Sequence, residues 1–500
     1  MVFLIRLKDS IAKEFDVSIQ RFFWYLALCL CAFPVLYPTY PPMVDLPQHV
    51  AAIASIDGIL RESYPYANLF EFNWITPYWL GYLLVWFAGV GVGFVWGAKI
   101  VVSAAILSFI LACREVRKYV GAPDLMDWPL LFLSFGFAFE WGFLNFLVAL
   151  PLGVFSLLQY LKFLDGKVRW QWIAVLFSCL FFAHVLVLGF FGIVCFLASL
   201  RRGYSLRQMQ INLAPFLAVV PLVAVWVFLN FKPSAVGDGP WEMGVHRLYQ
   251  LPSNIFSLPL SLGNVFLSFG FLSIPFMFNA KPVFRINKIG PFAFYLMFML
   301  LFPNYLMGNY YTYNRFNVVG FLLYFMAFDY DNSKEFFDKA KNLLCLLVYF
   351  LSVFFLARDI AFVVGYEKEA VAFQKIIKAM KPGQRVLGLI DAPQSAFYSA
   401  PVYLHYQAWY QAEKNGVADF SFAYWPGLNL TYRRDHLPSV DDSFPWHPDA
   451  FDWERLGATQ YRYFVLKGTS EFAVYVLGGH QNEVALIEVS GDWFLFENRQ

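Results

Sequence analysis

Long runs of apolar residues recur between residues 22 and 364 and constrain the fold more than any other feature. A helix that crosses a membrane needs roughly 17 to 25 mostly apolar residues. Only 14% of the sequence is charged, against about 25% in soluble domains. The sequence therefore predicts a mainly α-helical, polytopic membrane protein of about eleven transmembrane helices. The predicted spans are 22–38, 94–113, 128–141, 143–161, 172–183, 185–200, 213–231, 255–279, 290–305, 318–328 and 343–364.

The Lys and Arg residues between these runs predict the orientation, because cytoplasmic loops are enriched in them. With the N-terminus inside, the cytoplasmic loops contain Arg6, Lys8, Lys13, Arg21, Arg114, Arg117, Lys118, Lys162, Lys167, Arg169, Arg201, Arg202, Arg207, Lys281, Arg285, Lys288, Lys334, Lys339 and Lys341. The opposite loops contain only Arg61, Lys232, Arg247 and Arg315. Counting the apolar stretch 74–89 as a span would reverse this pattern, so we assign it to an interfacial or re-entrant helix outside.

The character of the chain changes after residue 364. The segment "EKEAVAFQKIIKAM" has the spacing of an amphipathic helix, and "RVLGLI", "YRYFVLKG" and "VALIEV" have the composition of strands. We therefore predict two domains. Residues 1–366 form the transmembrane domain, with a long first external loop at 39–93, and residues 367–500 form a small external α/β domain.

Composition and motifs exclude several kinds of function. The formal net charge of +2 gives no basis for nucleic-acid binding. The six cysteines lie in or beside apolar runs and have neither disulfide-framework nor zinc-site spacing. No glycine-rich phosphate loop of the Walker type occurs. The first apolar run lacks cleavage-site residues, so we expect it to remain as an anchor.

Ionisable and aromatic residues gather on the predicted external side, in short segments between the runs. Inserting a charged side chain into a membrane costs roughly 2.5 to 3.5 kcal/mol, so such residues usually mark a cavity or a functional pathway. The candidate catalytic residues are Asp45, His49 and Glu140, and the candidate substrate-binding residues are Asn145, His184, Trp241, His246, Tyr311 and Arg315.

Each of these residues has a structural interpretation beside the functional one. Asp45 is placed to act as a general base or to cap the helix that begins near Pro47. His49 follows one turn later and faces the same cavity or only bonds to the acid. His184 satisfies a turn backbone or contacts substrate, and Arg315 holds a phosphate or anchors its helix at the interface.

Metal-ligand spacing is weak throughout the external segments. Neither H-x-x-x-H nor H-E-x-x-H occurs there, and the adjacent acids Asp441 and Asp442 have the setting of a solvated loop. No cofactor is therefore assigned, and a divalent metal stays an open alternative.

The layout and three segments resemble the GT-C class of membrane glycosyltransferases, which use polyprenyl-phosphate-linked sugars as donors. The segments are "DLPQH", "FEWGFLNFLVALPLG" and "FFAHVLVLGFFGI", which are similar to those of uncharacterised bacterial members. The resemblance implies that Asp45 is the first-loop acid and that Arg315 binds the lipid phosphate. It also implies a bacterial inner membrane and a periplasmic C-terminal domain. Many members carry adjacent acids where Asp45 stands alone, which argues against a metal-dependent mechanism.

Three functions remain in competition. The first is transfer of a sugar from a polyprenyl-phosphate carrier to an external glycan or lipid acceptor. The second is a lipid or sugar transporter, although no internal repeat of the transporter kind is visible. The third is a non-catalytic assembly factor of an envelope-polysaccharide system, with other envelope-assembly proteins as partners. The clustering of costly ionisable groups on one side favours the first.

Overall fold

The computed structural model describes residues 19–499 except 202–203, 231–243, 257, 259–260, 307–308 and 331–337. Helices dominate the part before residue 380. They are α1 Ile19–Leu36, α2 Leu46–Leu60, α3 Trp79–Gly89, α4 Phe94–Val120, α5 Leu130–Leu133, α6 Phe137–Glu140, α7 Leu144–Leu164, α8 Trp170–Ala183, α9 Val185–Ser199, α10 Leu206–Asn230, α11 His246–Ile255, α12 Leu262–Leu272, α13 Ile274–Met277, α14 Ile286–Leu301, α15 Gly320–Met326 and α16 Asp338–Ala379.

Five helices of the described residues are long and apolar enough to cross a membrane. They are α1, α4, α7, the stretch Leu206–Leu229 of α10 and the stretch Leu343–Ala379 of α16. The most apolar part of α10 is only 17% buried, and Leu217 and Phe228 are 66% and 86% exposed there. Such apolar surface is unfavourable in water and favourable against lipid tails. The helices therefore indicate a membrane protein, and the span count of about eleven stays a prediction.

Three of the predicted spans are broken into shorter pieces. Residues 128–141 form α5 and α6, which are separated by an extended Gly136. Residues 318–328 form the end of a 3₁₀ turn, Asn314–Val319, and the short α15. The described part of 255–279 is divided among α11, α12 and α13. All residues of α5 and α15 are buried, and irregular backbone is tolerated at membrane depth only when protein surrounds it.

The C-terminal region forms a five-stranded mixed sheet, which includes the three strands that the sequence predicts. Its strands are β6 Arg385–Ile390, β7 Val417–Asp419, β9 Tyr463–Lys467, β10 Val484–Ser490 and β11 Trp493–Asn498. The strand order is β10-β11-β9-β6-β7, and β6 pairs in parallel with both β7 and β9. The helices α17 Ala408–Lys414 and α18 Ser470–Leu477 follow β6 and β9. The remaining strands, β1 Phe70–Phe72, β2 Lys281–Pro282, β3 Tyr305–Leu306, β4 Asn309–Tyr310, β5 Phe328–Asp329 and β8 Leu430–Tyr432, form two-stranded pairs.

The segment predicted as the first loop, residues 39–93, packs directly on this C-terminal region. β1 of the loop pairs antiparallel with β8, with Phe70 opposite Tyr432. The Gln48 side chain on α2 donates to the carbonyl of Phe420 at 2.8 Å and accepts from the amide of Phe422 at 3.1 Å. The predicted boundary at residue 366 falls inside α16, which runs unbroken into the C-terminal region, and the division into two domains stays a prediction. These contacts place residues near 45 and near 420 beside each other.

Candidate active site

A cavity of about 410 Å³ lies where the first loop, the start of α7, the segment before α15 and the C-terminal region meet. We call it the Asp45 cavity. Six of the nine predicted site residues line it: Asp45, His49, Asn145, His184, Tyr311 and Arg315. Glu140 lines a second cavity instead, and His246, the first residue of α11, does not line the Asp45 cavity. Trp241 lies outside the described residues.

The loop that carries Asp45 is fixed against the turn between α6 and α7. The backbone amide of Asp45 donates to the carbonyl of Trp141 at 3.0 Å. Gly142 has φ +70°, and a Cβ added there would lie 2.8 Å from Cβ of Met43. Only glycine combines this backbone conformation with so close an approach. The segments "DLPQH" and "FEWGFLN" therefore interlock, which brings Asp45 beside the start of α7.

The Asp45 carboxylate points into the cavity and does not cap α2. Asp45 occupies the N-cap position, but its side chain makes no capping hydrogen bond, so the structural interpretation of this residue is wrong. One carboxylate oxygen lies 3.8 Å from Nε2 of His405. Burial raises the pKa of Asp45 to about 7, although the charge of Arg315 acts to lower it. The carboxyl group is thus poised to accept a proton near neutral pH.

Two histidines flank Asp45 as neutral rings. Nδ1 of His49 lies 3.1 Å from the Tyr82 hydroxyl. Burial, together with the charge of Arg315, lowers the pKa of His49 to about 3. Burial also lowers the pKa of His405 to about 3. Both rings are therefore uncharged at neutral pH. His49 is held by Tyr82, whereas the buried Nδ1 of His405 has no hydrogen-bond partner among the described residues.

The Arg315 guanidinium is buried and has no carboxylate bonded to it among the described residues. Its Nε and Nη2 donate to the carbonyl of Tyr310 at 3.2 and 2.7 Å. Its Cζ lies 3.7 Å from the centre of the Phe143 ring. Burial lowers the pKa of Arg315 to about 10, while the charge of Asp45 raises it. The group therefore stays cationic at neutral pH, and its remaining N–H donors suit a phosphate.

Three further predicted residues, His184, Asn145 and Tyr311, line the Asp45 cavity. Nδ1 of His184 accepts from the amide of Leu186 at 3.2 Å and caps α9, so the structural interpretation holds for this nitrogen. The buried Oδ1 of Asn145 has no partner among the described residues. Tyr311 has φ +56°, and its ring lies 4.4 Å from that of Trp141. The rings of Trp141 and Tyr311 thus form an aromatic wall on one side of the cavity.

The C-terminal region supplies the half of the cavity that sequence reasoning missed. These residues are His405, Phe420, Phe422, Trp425, Asp442 and Trp446. Asp441 holds its own loop by accepting from Ser443, as a solvated loop would. Asp442 lines the cavity and accepts from the Trp425 indole at 3.3 Å. The density of aromatic residues in "DFSFAYW" and "FPWH" was the available signal, because such faces stack on sugars.

Glu140 opens into a separate cavity of about 450 Å³, which we call the Asp359 cavity. Its Oε2 accepts from the Ser399 hydroxyl at 2.7 Å and from the amide of Ala400 at 3.2 Å. The Trp141 ring lines both cavities. Glu140 is therefore the sequence neighbour of Trp141, which lines the Asp45 cavity, but Glu140 itself lines the cavity on the other side of that ring.

The residues present do not fit a metal site. Within the described parts of the chain, no group of three or more His, Cys, Asp or Glu side chains is placed to hold a metal ion. Asp45 and His405 alone give too few ligands for the usual four- or six-coordinate sites.

Comparisons with known proteins give one weak structural likeness. No model of a protein family matches the chain, and no curated protein matches it. A cryo-EM structure of the arabinofuranosyltransferase AftD from mycobacteria is similar, with a TM-score of 0.49 and 11% sequence identity. The match covers 95% of this chain and 41% of that chain, so this chain spans about two fifths of that protein. A likeness at this level assigns neither a family nor an activity.

Proposed function

We propose that this protein is an integral membrane glycosyltransferase that moves a sugar from a polyprenyl-phosphate carrier to an extracytoplasmic glycan or lipid acceptor. In this proposal the N-terminus is cytoplasmic, the membrane is the bacterial inner membrane and the C-terminal region is periplasmic. The observation that carries the proposal is the pairing in one cavity of a proton-accepting carboxylate with an unneutralised arginine, Asp45 with Arg315. Sugar transfer from a phosphate carrier is favoured by a base for the acceptor hydroxyl and by a cation for the departing phosphate.

The reaction assigns one role to each group. The acceptor hydroxyl oxygen forms a bond to the anomeric carbon as the bond from that carbon to the phosphate oxygen breaks. The hydroxyl proton passes to Asp45, and inversion follows from attack opposite the leaving group. The carrier leaves as polyprenyl phosphate with one more negative charge, which the Arg315 guanidinium stabilises.

The surroundings of the cavity support the same chemistry. Aromatic rings such as Trp141, Trp425 and Trp446 line it and offer flat apolar faces to a sugar. The neutral His49 and His405 offer hydrogen bonds without competing for the proton. A separate apolar cavity of about 540 Å³ lies between α9, α10 and α14 and includes Thr312, close in sequence to Arg315. Its lining suits part of a polyprenyl chain.

The test is carried out with the whole protein in lipid nanodiscs. Binding of undecaprenyl phosphate and transfer from a panel of lipid-linked sugars are measured for wild type, Asp45→Asn and Arg315→Ala. The matched control is Asp57→Asn, because Asp57 lies on α2, the helix that Asp45 precedes, but does not line the Asp45 cavity and pairs with Arg61 at 2.8 Å. We expect Asp45→Asn to bind carrier without transfer, Arg315→Ala to lose carrier binding, and the control to resemble wild type.

The contrary result is equally definite. If no donor is consumed and neither substitution changes carrier binding, the glycosyltransferase proposal is wrong. An assembly factor would instead tolerate Asp45→Asn in cells and fail when the segment after residue 364 is removed.

A further inference from the structure

The Asp359 cavity contains polar groups that the proposed reaction does not use. It lies between α6, α11, α16 and the segment before α17. Two carboxylates, Glu140 and Asp359, face it together with Arg358 and the amides of Asn314 and Asn317. This lining differs from that of an ordinary gap between apolar helices.

Asp359 is the most unusual of these groups. It lies within "FFLARDIAFVV", an apolar stretch of α16, and is only 7% exposed. Its Oδ1 accepts from Nε and Nη2 of Arg358 at 3.0 and 2.7 Å. Its Oδ2 is buried without a partner among the described residues. A buried carboxylate oxygen without a donor is costly, so a ligand that supplies a hydroxyl would stabilise it.

Two asparagines that line the same cavity, Asn314 and Asn317, each have a buried amide oxygen as well. Oδ1 of Asn314 and Oδ1 of Asn317 are buried and have no hydrogen-bond partner in the part of the chain that the structure describes. Together with Oδ2 of Asp359, they make three acceptors without donors. Hydroxyl groups, which donate readily and tolerate varied geometry, fit such a set.

The charge balance decides between kinds of ligand. Arg358 already donates to Asp359, so its charge is largely neutralised and the negative charge of Glu140 remains. A phosphate or a uronic acid would be repelled by that carboxylate. Phe137, Trp141 and Phe362 also line the cavity, and aromatic faces pack against the C–H faces of sugars. A neutral, hydroxyl-rich ligand therefore fits best.

We propose that the Asp359 cavity binds a neutral sugar unit of the acceptor, next to the unit that reacts in the Asp45 cavity. This inference rests on the proposed function only in describing the bound sugar as part of the acceptor. Binding of a carbohydrate in this cavity does not depend on that function. Because Trp141 lines both cavities, one acceptor chain passing this ring reaches both. Asp359 and Glu140 then hold the acceptor and do not act on the reacting bond.

The first experiment measures binding without any donor. Short neutral oligosaccharides of mannose, galactose or arabinose are titrated into the nanodisc-embedded protein by calorimetry, with oligogalacturonate and chitosan oligomers as charged comparisons. We expect a neutral oligosaccharide to bind and Asp359→Asn to weaken it by roughly tenfold or more. Gln250→Ala, which truncates a half-buried lining amide on α11, serves as a second variant if Asp359→Asn does not fold.

The second experiment separates this site from the reaction. The matched control is Glu369→Gln, since Glu369 is on the same helix but bonds to Ser395 at 2.7 Å outside both cavities. In steady-state transfer, Asp359→Asn should raise the acceptor KM roughly tenfold and leave kcat and the donor KM unchanged. The inference is overturned if no neutral oligosaccharide binds, if a charged oligomer binds in preference, or if both cavity variants bind like wild type. Absence of transfer by wild type would overturn the proposed function alone.

Discussion

The Asp45 cavity and the Asp359 cavity share the Trp141 ring, and each contains carboxylates and one arginine. They differ in how the arginine is bonded. Arg315 donates to a backbone carbonyl, so its charge is open to a ligand. Arg358 donates to its neighbour Asp359, so its charge is already taken.

This difference shows that charge content alone does not predict what a cavity binds. An arginine that donates to a backbone carbonyl keeps its net positive charge and can attract a phosphate. An arginine that donates to a carboxylate is largely neutralised and attracts a phosphate less strongly. In the sequence, Arg315 lies just before the apolar run 318–328, and Arg358 lies inside the apolar run 343–364. Only the pattern of hydrogen bonds distinguishes a site for an anionic carrier from one for a neutral sugar.

The largest expected effect separates the two acids. Asp45→Asn should lower kcat by roughly 10²- to 10⁴-fold, because it removes the proton acceptor. Asp359→Asn should leave kcat unchanged. Single-turnover measurements at saturating acceptor check both. Equal losses of kcat in the two variants would break the distinction between the cavities.

The two arginines give the next largest effect. Arg315→Gln should weaken binding of undecaprenyl phosphate by roughly 10- to 100-fold, because it removes charged hydrogen bonds to the phosphate. Arg358→Gln should leave carrier affinity within about twofold of wild type on the same reasoning. Equilibrium binding in nanodiscs measures both. If carrier binding depends on Arg358 instead, the phosphate binds in the Asp359 cavity, and its assignment to the Asp45 cavity is wrong.

Gly142 joins the two cavities through the turn behind Trp141, and Gly142→Ala should destabilise that turn. The left-handed backbone costs a residue with a Cβ roughly 1–2 kcal/mol, and the contact with Met43 adds to it. Gly121→Ala is the matched control, because Gly121 has φ +78° and nothing within 4 Å of an added Cβ. Thermal unfolding in nanodiscs should show a larger drop in Tm for Gly142→Ala. Equal drops would mean that the contact with Met43 is unimportant.

His184 offers the smallest test. Since its ring caps α9, His184→Ala should cost about 1 kcal/mol of stability, and His184→Asn, which keeps a capping acceptor, should cost less. Carrier affinity and transfer should change little in His184→Asn. A large loss of either in that variant would show that the ring contacts substrate in the Asp45 cavity.

Much of the Asp45 cavity was predictable from local sequence. Asp45 and His49 are one helical turn apart, and both line the cavity, as that spacing suggests. The strands "RVLGLI", "YRYFVLKG" and "VALIEV" also form where composition and alternation predict them.

The rest depends on contacts between distant parts of the chain. His405 lies 360 positions from Asp45, and no periodicity connects the two. Asp359 falls inside the predicted span 343–364, because a single acidic residue does not alter the prediction of a transmembrane span. Glu140 lines the second cavity, and its carboxylate accepts hydrogen bonds from Ser399 and Ala400, which lie 259 and 260 positions further along the chain.

The most direct test of the account is the pH dependence of single-turnover transfer. Asp45 accepts a proton only when ionised, and burial raises its pKa to about 7. We therefore expect the rate to rise with pH and to level off above about 7. In Arg315→Gln, the cation that lowers this pKa is gone, so the rise should move to higher pH, whereas Arg315→Lys should keep it near the wild-type position. A rate that does not change across this range, or that falls as pH rises, would contradict the assignment of Asp45 as the base.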